Sequence, residues 1–340
     1  MTQTPAIHDV GVIGGGAWGT ALAALSADQN PAEGRTLIWA RNEEVVAGIN
    51  AGRVNTLYLP DVTLPADLQA TGDFRALKDC EALVLAMPAQ TLRGFAFRLR
   101  DELPESRAPL VVAAKGIEIG TGLLPAEVLA EVLPDRPLAI LTGPTFAAEV
   151  ARGLPAAATL ACENAVLGEA LMQRLGRPTF RPYYSDDIVG AQLGGALKNV
   201  LAIACGIVIG RKFGDNTRAA LITRGLAELA RLGAAMGARR RTLMGLSGLG
   251  DLVLTCSGPQ SRNLSLGIAL GEGKTLAEIM QGRRTVAEGV HTAQAVVTLA
   301  AKRGIEMPIC EAVHAVLHEG ADIDEMLAAL LARPFTSEDD

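Results

Sequence analysis

The sequence predicts an α/β domain built on a parallel sheet, followed by an all-α domain. Three observations carry that expectation. A short apolar run, Val10-Gly-Val-Ile, feeds into a glycine-rich turn and then an apolar helical pattern. Strand-like and helical runs alternate up to about residue 184, and beyond Ser185 long helical patterns follow one another without strands. At 340 residues the chain also exceeds one typical core. Two domains are therefore expected, 1–186 and 187–340.

The first strand defines the chemistry of the first domain. Gly14, Gly16 and Gly19 stand at GxGxxG spacing, with Ala17 and Trp18 between them. Gly14 permits the tight turn, Gly16 leaves bare backbone for a pyrophosphate, and Gly19 lets helix and strand pack closely. The helix that follows offers unpaired amides and a positive dipole end to phosphates. This is a Rossmann-type dinucleotide signal, so NAD or NADP is the expected cofactor.

The second strand, 35–40, ends where an acidic residue would bind a ribose 2′-hydroxyl, yet Arg41-Asn42 stands there. An arginine suits a 2′-phosphate through its planar donor fork, so NADPH is expected to be preferred. A solvent-facing arginine after a strand is the alternative.

Three more strand-like runs, 82–88, 110–116 and 138–145, end at Met87-Pro88, Lys115-Gly116 and Gly143-Pro144-Thr145. In an open parallel sheet, ligands bind beyond the carboxyl ends of the strands. Lys115, Gly143 and Thr145 should thus face the crevice of the glycine turn, although Lys115 also reads as an exposed loop lysine. Pro144 suits the first turn of a helix, which would place Ala147 in that turn, near the nicotinamide ribose. Late strands are expected at 156–161 and 179–184.

The helical half is expected at 188–209, 217–236, 261–270, 276–281, 292–303, 309–317 and 323–332. Lys198 lies about three turns into the first of these, amid apolar neighbours. Burial disfavours a charged lysine. Either its stem carries the ammonium to water, or the residue is there to pass a proton.

The remaining composition narrows the class. A net charge of −6, with 20% charged and 49% hydrophobic residues, gives no support for nucleic-acid binding. No basic-then-apolar leader is visible, and the apolar run 200–210 is too short for a bilayer span, so a cytoplasmic enzyme without a transmembrane segment is expected. The five cysteines are scattered without a CxxC and read as reduced, buried thiols. His314 and His318 have i, i+4 spacing but no HExxH, so no metal site is expected. The tail after Pro334 is expected to be disordered.

Several longer runs carry a resemblance: VIGGGAWGTALA, KGIE (115–118), LTGPTFAAEVARGLPAA (141–157), QLGGALKNVLAIACGI (192–207), ALITRGLAELARLGAAMG (220–237), LSGLGDLVLTCSGPQSRN (246–263) and VAEGVHT (286–292). In order and over nearly the whole chain, they resemble bacterial NAD(P)-dependent glycerol-3-phosphate dehydrogenases. The resemblance implies reversible reduction of dihydroxyacetone phosphate to sn-glycerol 3-phosphate, supply of phospholipid synthesis, and a homodimer. It implies Lys198 as the proton-transfer residue and, with Lys115, Gly143, Thr145, Asp251, Ser261, Arg262 and Asn263, as substrate ligand. It gives Ala17, Trp18, Arg41, Lys115, Ala147, Arg262, Val286 and Glu288 to the cofactor. Asn199 and Thr255 also stand in matching motif positions. Ser261 reads equally as a helix N-cap. The turn at 30–35 and Arg211-Lys212 depart from the family pattern. Another dehydrogenase of similar architecture would reuse the glycines and a lysine without the Ser261-Arg262-Asn263 set, and a nucleotide sensor could lose Lys198.

Overall fold

A computed structural model describes residues 6–27, 34–281, 287–334 and 337 of the chain. The first domain runs β1 (Val10–Ile13), α1 (Ala17–Ala27), β2 (Thr36–Trp39), α2 (Glu43–Gly52), β3 (Gln69–Thr71), β4 (Ala82–Leu85), α3 (Leu92–Glu102), β5 (Leu110–Val112), α4 (Pro125–Val132), β6 (Leu138–Thr142), α5 (Ala147–Ala151), β7 (Ala156–Ala161), α6 (Ala165–Leu175) and β8 (Phe180–Ser185). The eight strands form one sheet in the order β3-β2-β1-β4-β5-β6-β7-β8. β1 lies between β2 and β4, with Ile13 in register with Trp39 on one side and Leu85 on the other. The chain order reverses at β1, and that reversal opens a crevice at the strands' carboxyl ends.

The apolar content of the strands explains their burial. Val10, Gly11, Val12 and Ile13 are all buried, as are Ala82 to Leu85, because helices cover both faces of the sheet. Val12, Leu22 and Ile38 pack on one face. Ile13, Leu83, Leu85 and Leu99 pack on the other.

Two expectations about the sheet are corrected. It is not wholly parallel: β7 runs antiparallel to β6, and β8 follows β7 in parallel. The connection from β6 holds a helix of only five residues, which turns the chain back beside β6 instead of carrying it over the sheet. β3 was not anticipated, since Gln-Ala-Thr is three residues long and lacks an alternating pattern.

The second domain runs α7 (Ile188–Gly210), α8 (Asp215–Ala235), α9 (Arg240–Leu243), α10 (Asp251–Ser257), α11 (Arg262–Gly271), α12 (Leu276–Gln281), α13 (Glu288–Lys302), α14 (Pro308–His314) and α15 (Ile323–Leu331). The short α9 and α10 lie outside the expected set, and α13 begins four residues before the expected 292. The expected helix 309–317 ends as a π turn, Ala315–Glu319.

α7 is the axis of this domain. It is apolar on every side, so other helices surround it, and every residue from Gly190 to Val208 is buried. At 23 residues and a mean hydropathy of 1.8 it is long and apolar enough to cross a membrane, which corrects the argument from the shorter 200–210 run. Here 83% of its most apolar window is buried inside the protein. α7 and α11 meet backbone to backbone: a Cβ on Gly206 would lie 2.3 Å from the Leu264 carbonyl oxygen, and one on Gly267 2.1 Å from that of Ile203. Larger residues at either position would force these helices apart. The parts of the 30–35 turn and of the C-terminal tail discussed above that precede Gly34 and follow Pro334 lie outside the described residues, Ser337 excepted.

Candidate active site

The glycine turn has the geometry that its spacing predicts. Gly14 has a φ of 124°, which side-chain-bearing residues rarely adopt. A Cβ on Gly19 would fall 1.9 Å from the Gly14 carbonyl oxygen, so α1 can start against β1 only with glycine there. A Cβ on Gly16 would meet nothing within 4 Å, which leaves bare backbone at the crevice. Ala17 and Trp18 form the first turn of α1. The Trp18 indole nitrogen is buried without a hydrogen-bond partner among the described residues. An open backbone cradle at a helix N-terminus and an unused buried donor both suit a phosphate-rich dinucleotide.

Lys115, three residues beyond β5, reaches over the carboxyl end of the sheet. Its Nζ donates to the Gly143 carbonyl at 3.2 Å and to Asp251 Oδ2 at 2.6 Å. It is therefore a crevice residue and not a free loop lysine. Gly143 directly follows β6, and the Thr145 hydroxyl donates to its carbonyl at 3.2 Å. Ala147 opens α5, with Phe146 as N-cap. Pro144 therefore lies in the loop before the helix, which corrects its expected place in the first turn.

Lys198 enters the same spot from α7. Gly194 and Gly195 let the helix approach: a Cβ on the first would lie 2.2 Å from the Ser247 carbonyl oxygen, and on the second 2.7 Å from Thr142 Oγ1. The Lys198 side chain is only 9% exposed, so its stem does not carry the ammonium to water. Its Nζ donates to Asp251 Oδ1. Asp251 is fully buried at the start of α10, just after a π turn at Leu246–Gly250. Such turns are rare and concentrate at functional sites. The Thr255 hydroxyl donates to the Asp251 carbonyl at 2.7 Å, holding the first turn of α10. Two lysines thus share one buried carboxylate, one on each oxygen. Burial lowers the Lys198 pKa to about 7, against the pull of Asp251 and with the help of the neighbouring Lys115 charge. A lysine so tuned can hold or release a proton near neutral pH.

The opposite wall comes from α11 and α13. Ser261 caps α11, accepting from the Leu264 amide at 3.2 Å, so the N-cap reading holds. Arg262 and Asn263 form the first turn. The Asn263 amide donates to Asn199 Oδ1 at 2.8 Å and accepts from the Gly289 backbone at 3.1 Å. It ties the neighbours of Lys198 and Glu288 to the neighbour of Arg262. Glu288 begins α13 with its carboxyl buried, and burial raises its pKa to about 7 against the pull of Arg262. Arg41 stands just after β2, exposed at the rim. Val286 lies outside the described residues.

Sequence reasoning missed one contact. Gln260 donates to Glu149 Oε1 at 2.8 Å, clasping α5 to the loop before Ser261. Only the placement of polar residues beside two motifs hinted at it.

The whole chain has known relatives. Profiles of the N- and C-terminal regions of NAD-dependent glycerol-3-phosphate dehydrogenase match residues 9–167 and 187–328. The chain is 56% identical over 336 residues to the glycerol-3-phosphate dehydrogenase [NAD(P)+] of Parvibaculum lavamentivorans, covering 99% of this chain and 100% of that one. It is also 56% identical to the enzyme of that name from Rhodospirillum rubrum, with 98% and 94% covered. Its fold superimposes on the crystal structure of glycerol-3-phosphate dehydrogenase from Coxiella burnetii with a TM-score of 0.91 at 39% identity, covering 97% of this chain and 100% of that one. Family profiles over nearly the whole chain, and relatives that match it from end to end, show that the chain belongs to the NAD-dependent glycerol-3-phosphate dehydrogenase family.

Proposed function

We propose that this protein interconverts dihydroxyacetone phosphate and sn-glycerol 3-phosphate with NAD(P)H, and that Lys198 is its proton donor and acceptor. The observation that carries this reading is the buried Lys198–Asp251–Lys115 arrangement at the carboxyl ends of β5 and β6. Residues 1–186 form the dinucleotide-binding domain and 187–340 the substrate-binding domain, from which Arg262, Val286 and Glu288 also reach the cofactor. The cofactor, when bound, supplies a hydride to the substrate's C2. Charge then grows on the C2 oxygen, and Lys198 Nζ delivers a proton to it; in the reverse direction the neutral amine removes one. Asp251 orients Lys198, and Lys115 adds positive charge beside the developing alkoxide. Arg262, with Ser261 and Asn263 at the start of α11, binds the phosphate dianion through charge-assisted hydrogen bonds. Gly143 and Thr145 line the substrate side.

Gly14, Gly16, Ala17, Trp18, Gly19, Ala147, Val286 and Glu288 hold the dinucleotide, with Arg41 favouring NADPH. The reading extends to a cytoplasmic homodimer that supplies glycerol 3-phosphate for phospholipid synthesis. The test is oxidation of NADPH by the purified protein with dihydroxyacetone phosphate, set against oxidation of NADPH with a 3-keto acid and reduction of NADP+ by 6-phosphogluconate. Turnover confined to dihydroxyacetone phosphate is expected, and turnover on the other substrates alone would overturn the reading.

A further inference from the structure

Asn55 lies in the loop after α2 and is fully buried. Its backbone carbonyl accepts from the Leu59 amide at 2.8 Å and from the Tyr58 amide at 3.2 Å, which closes a tight turn around it. The side chain reaches back to the glycine turn. Nδ2 donates to the Gly15 carbonyl at 3.0 Å and to Thr20 Oγ1, on α1, at 2.8 Å. The reverse placement of the amide would set Oδ1 against the Gly15 carbonyl, acceptor against acceptor. Both amide protons are thus used, while Oδ1 is buried with no hydrogen-bond partner among the described residues. A buried polar atom without a partner is costly, so what this side chain contributes here is its two donor bonds.

The bond to Gly15 has a consequence at the other end of the same peptide. Peptide units are planar and trans, and the described residues contain no cis bond. The Gly15 C=O and the Gly16 N–H therefore point in opposite directions. With the carbonyl turned to buried Asn55, the Gly16 amide turns away from the interior. Gly16 borders open space, and its amide donates to no backbone carbonyl among the described residues. The next amide, that of Ala17, is aimed by the helix. The Gly16 carbonyl accepts from the Thr20 amide at 2.9 Å, so the Ala17 N–H points out of the N-terminus of α1. Two successive amides then face the crevice, and α1 fixes only the second. Within Gly14-Gly15-Gly16 no side chain resists rotation of the first, because glycine accepts either orientation of its peptide. Turned over, that peptide would present a carbonyl oxygen to an incoming anion. We infer that Asn55 is a positioning residue for the cofactor: it locks the Gly15–Gly16 peptide with its N–H towards the crevice, where it receives the diphosphate of the dinucleotide. This rests on the reading of the glycine turn as the dinucleotide site. Being fully buried, Asn55 acts through the Gly15 carbonyl.

The experiment measures the Kd for NADPH and for NADH by fluorescence, with Tm alongside, for the wild type, Asn55→Leu, Asn55→Ala and Thr20→Val. Leucine fills the space of asparagine without its donors, and alanine serves where the larger side chain does not fit. Valine at position 20 removes the other acceptor of Asn55 and leaves the Gly15 bond in place, so it controls for loss of the buried network. The Asn55 variants should bind both dinucleotides roughly tenfold or more weakly, because a hydrogen bond to a charged group is worth at least that. The factor should be the same for NADPH and NADH, since both carry the diphosphate. Thr20→Val should bind as the wild type does. In steady state the loss should fall on the KM for the cofactor, with kcat at saturating cofactor and the KM for dihydroxyacetone phosphate unchanged. Wild-type affinity in a folded Asn55 variant overturns the inference and leaves the dinucleotide site intact. An equal loss in Thr20→Val, or a loss shared by kcat and the substrate KM, also overturns it, because Asn55 would then support only the fold. Failure of the wild type to bind either dinucleotide would instead overturn the reading of the site itself.

Discussion

Lys198 ends on Oδ1 of Asp251, a carboxylate with no exposure to solvent. Asp251 is the group that holds the Lys198 pKa up, against burial and the Lys115 charge. Replacing it with asparagine removes that support, so the pKa falls below about 7 and the ammonium becomes scarce at neutral pH. Reduction of dihydroxyacetone phosphate, which consumes the ammonium's proton, should drop by about 10²-fold or more in Asp251→Asn. Its pH optimum should move to the acid side, while the oxidation direction suffers less at neutral pH. An unmoved optimum in the pH–rate profile would argue that Asp251 only supports the fold.

Lys198→Met tests the proton transfer itself. Methionine preserves the length of the stem and its packing against α7's neighbours, so NADPH binding should persist. Turnover should fall by about 10²–10⁴-fold. Near-wild-type kcat, with binding verified by fluorescence titration, would refute the assignment.

The crevice was partly legible because half of it is local. The spacing of Gly14, Gly16 and Gly19 encodes a turn, and strand ends point to Lys115 and Gly143 without any tertiary information. The convergence of Lys115 with Asp251 is not local: 136 residues separate them, and no periodicity in either segment specifies the pairing. Only the family resemblance puts the two in one site. The reversal at β7 has no local signature, because strand patterns carry no direction. The π turn before Asp251 is five residues of Leu, Ser and Gly with no helical signature. Glu228 escaped too, although it sits on the buried stripe of α8 with Gly225, Leu229 and Leu232.

Glu228 gives a stability prediction. It is 1% exposed and accepts from the Ile309 amide at 2.7 Å and the Cys310 amide at 3.3 Å, joining α8 to the start of α14. Burial raises its pKa to about 7, against those hydrogen bonds. A raised folded pKa means that the native state binds a proton the unfolded chain gives up, so stability is lost as pH climbs towards 7. Glu228→Gln keeps an acceptor and cannot ionise. Its Tm should match the wild type near pH 4 and exceed it at pH 8, by an amount equivalent to roughly 1–3 kcal/mol. A variant less stable at both pH values would show that the carboxylate is the preferred native form.

Arg41 stands exposed after β2, where the adenosine ribose of a dinucleotide would lie. If it reads the 2′-phosphate, Arg41→Ala should weaken NADPH and spare NADH, since only NADPH carries the extra dianion. A charge-assisted hydrogen bond is worth about 1.5–3 kcal/mol, or roughly 10- to 150-fold in affinity. Steady-state KM values for both cofactors decide the matter. Equal losses would assign Arg41 to the part of the molecule that both cofactors share.

Arg262 opens α11 beside the Ser261 cap, across the crevice from Lys115. Its proposed role is to hold the substrate phosphate and so position the reacting carbon against Lys198. Binding energy from a remote phosphate can be used to orient the substrate, so its loss should lower kcat as well as raise KM. Arg262→Lys keeps the charge but loses the planar fork, and should remain impaired. Dihydroxyacetone, which has no phosphate, separates this role from the others. The wild type should turn it over very poorly, and Arg262→Ala should lose little more on it while losing heavily on dihydroxyacetone phosphate. Inorganic phosphite, added with dihydroxyacetone, should restore part of the wild-type rate and none of the variant's, because the anion can then occupy the Arg262 site on its own. If the variant loses equally on both substrates and phosphite rescues both proteins alike, Arg262 acts on the cofactor or the fold, and the phosphate anchor lies elsewhere.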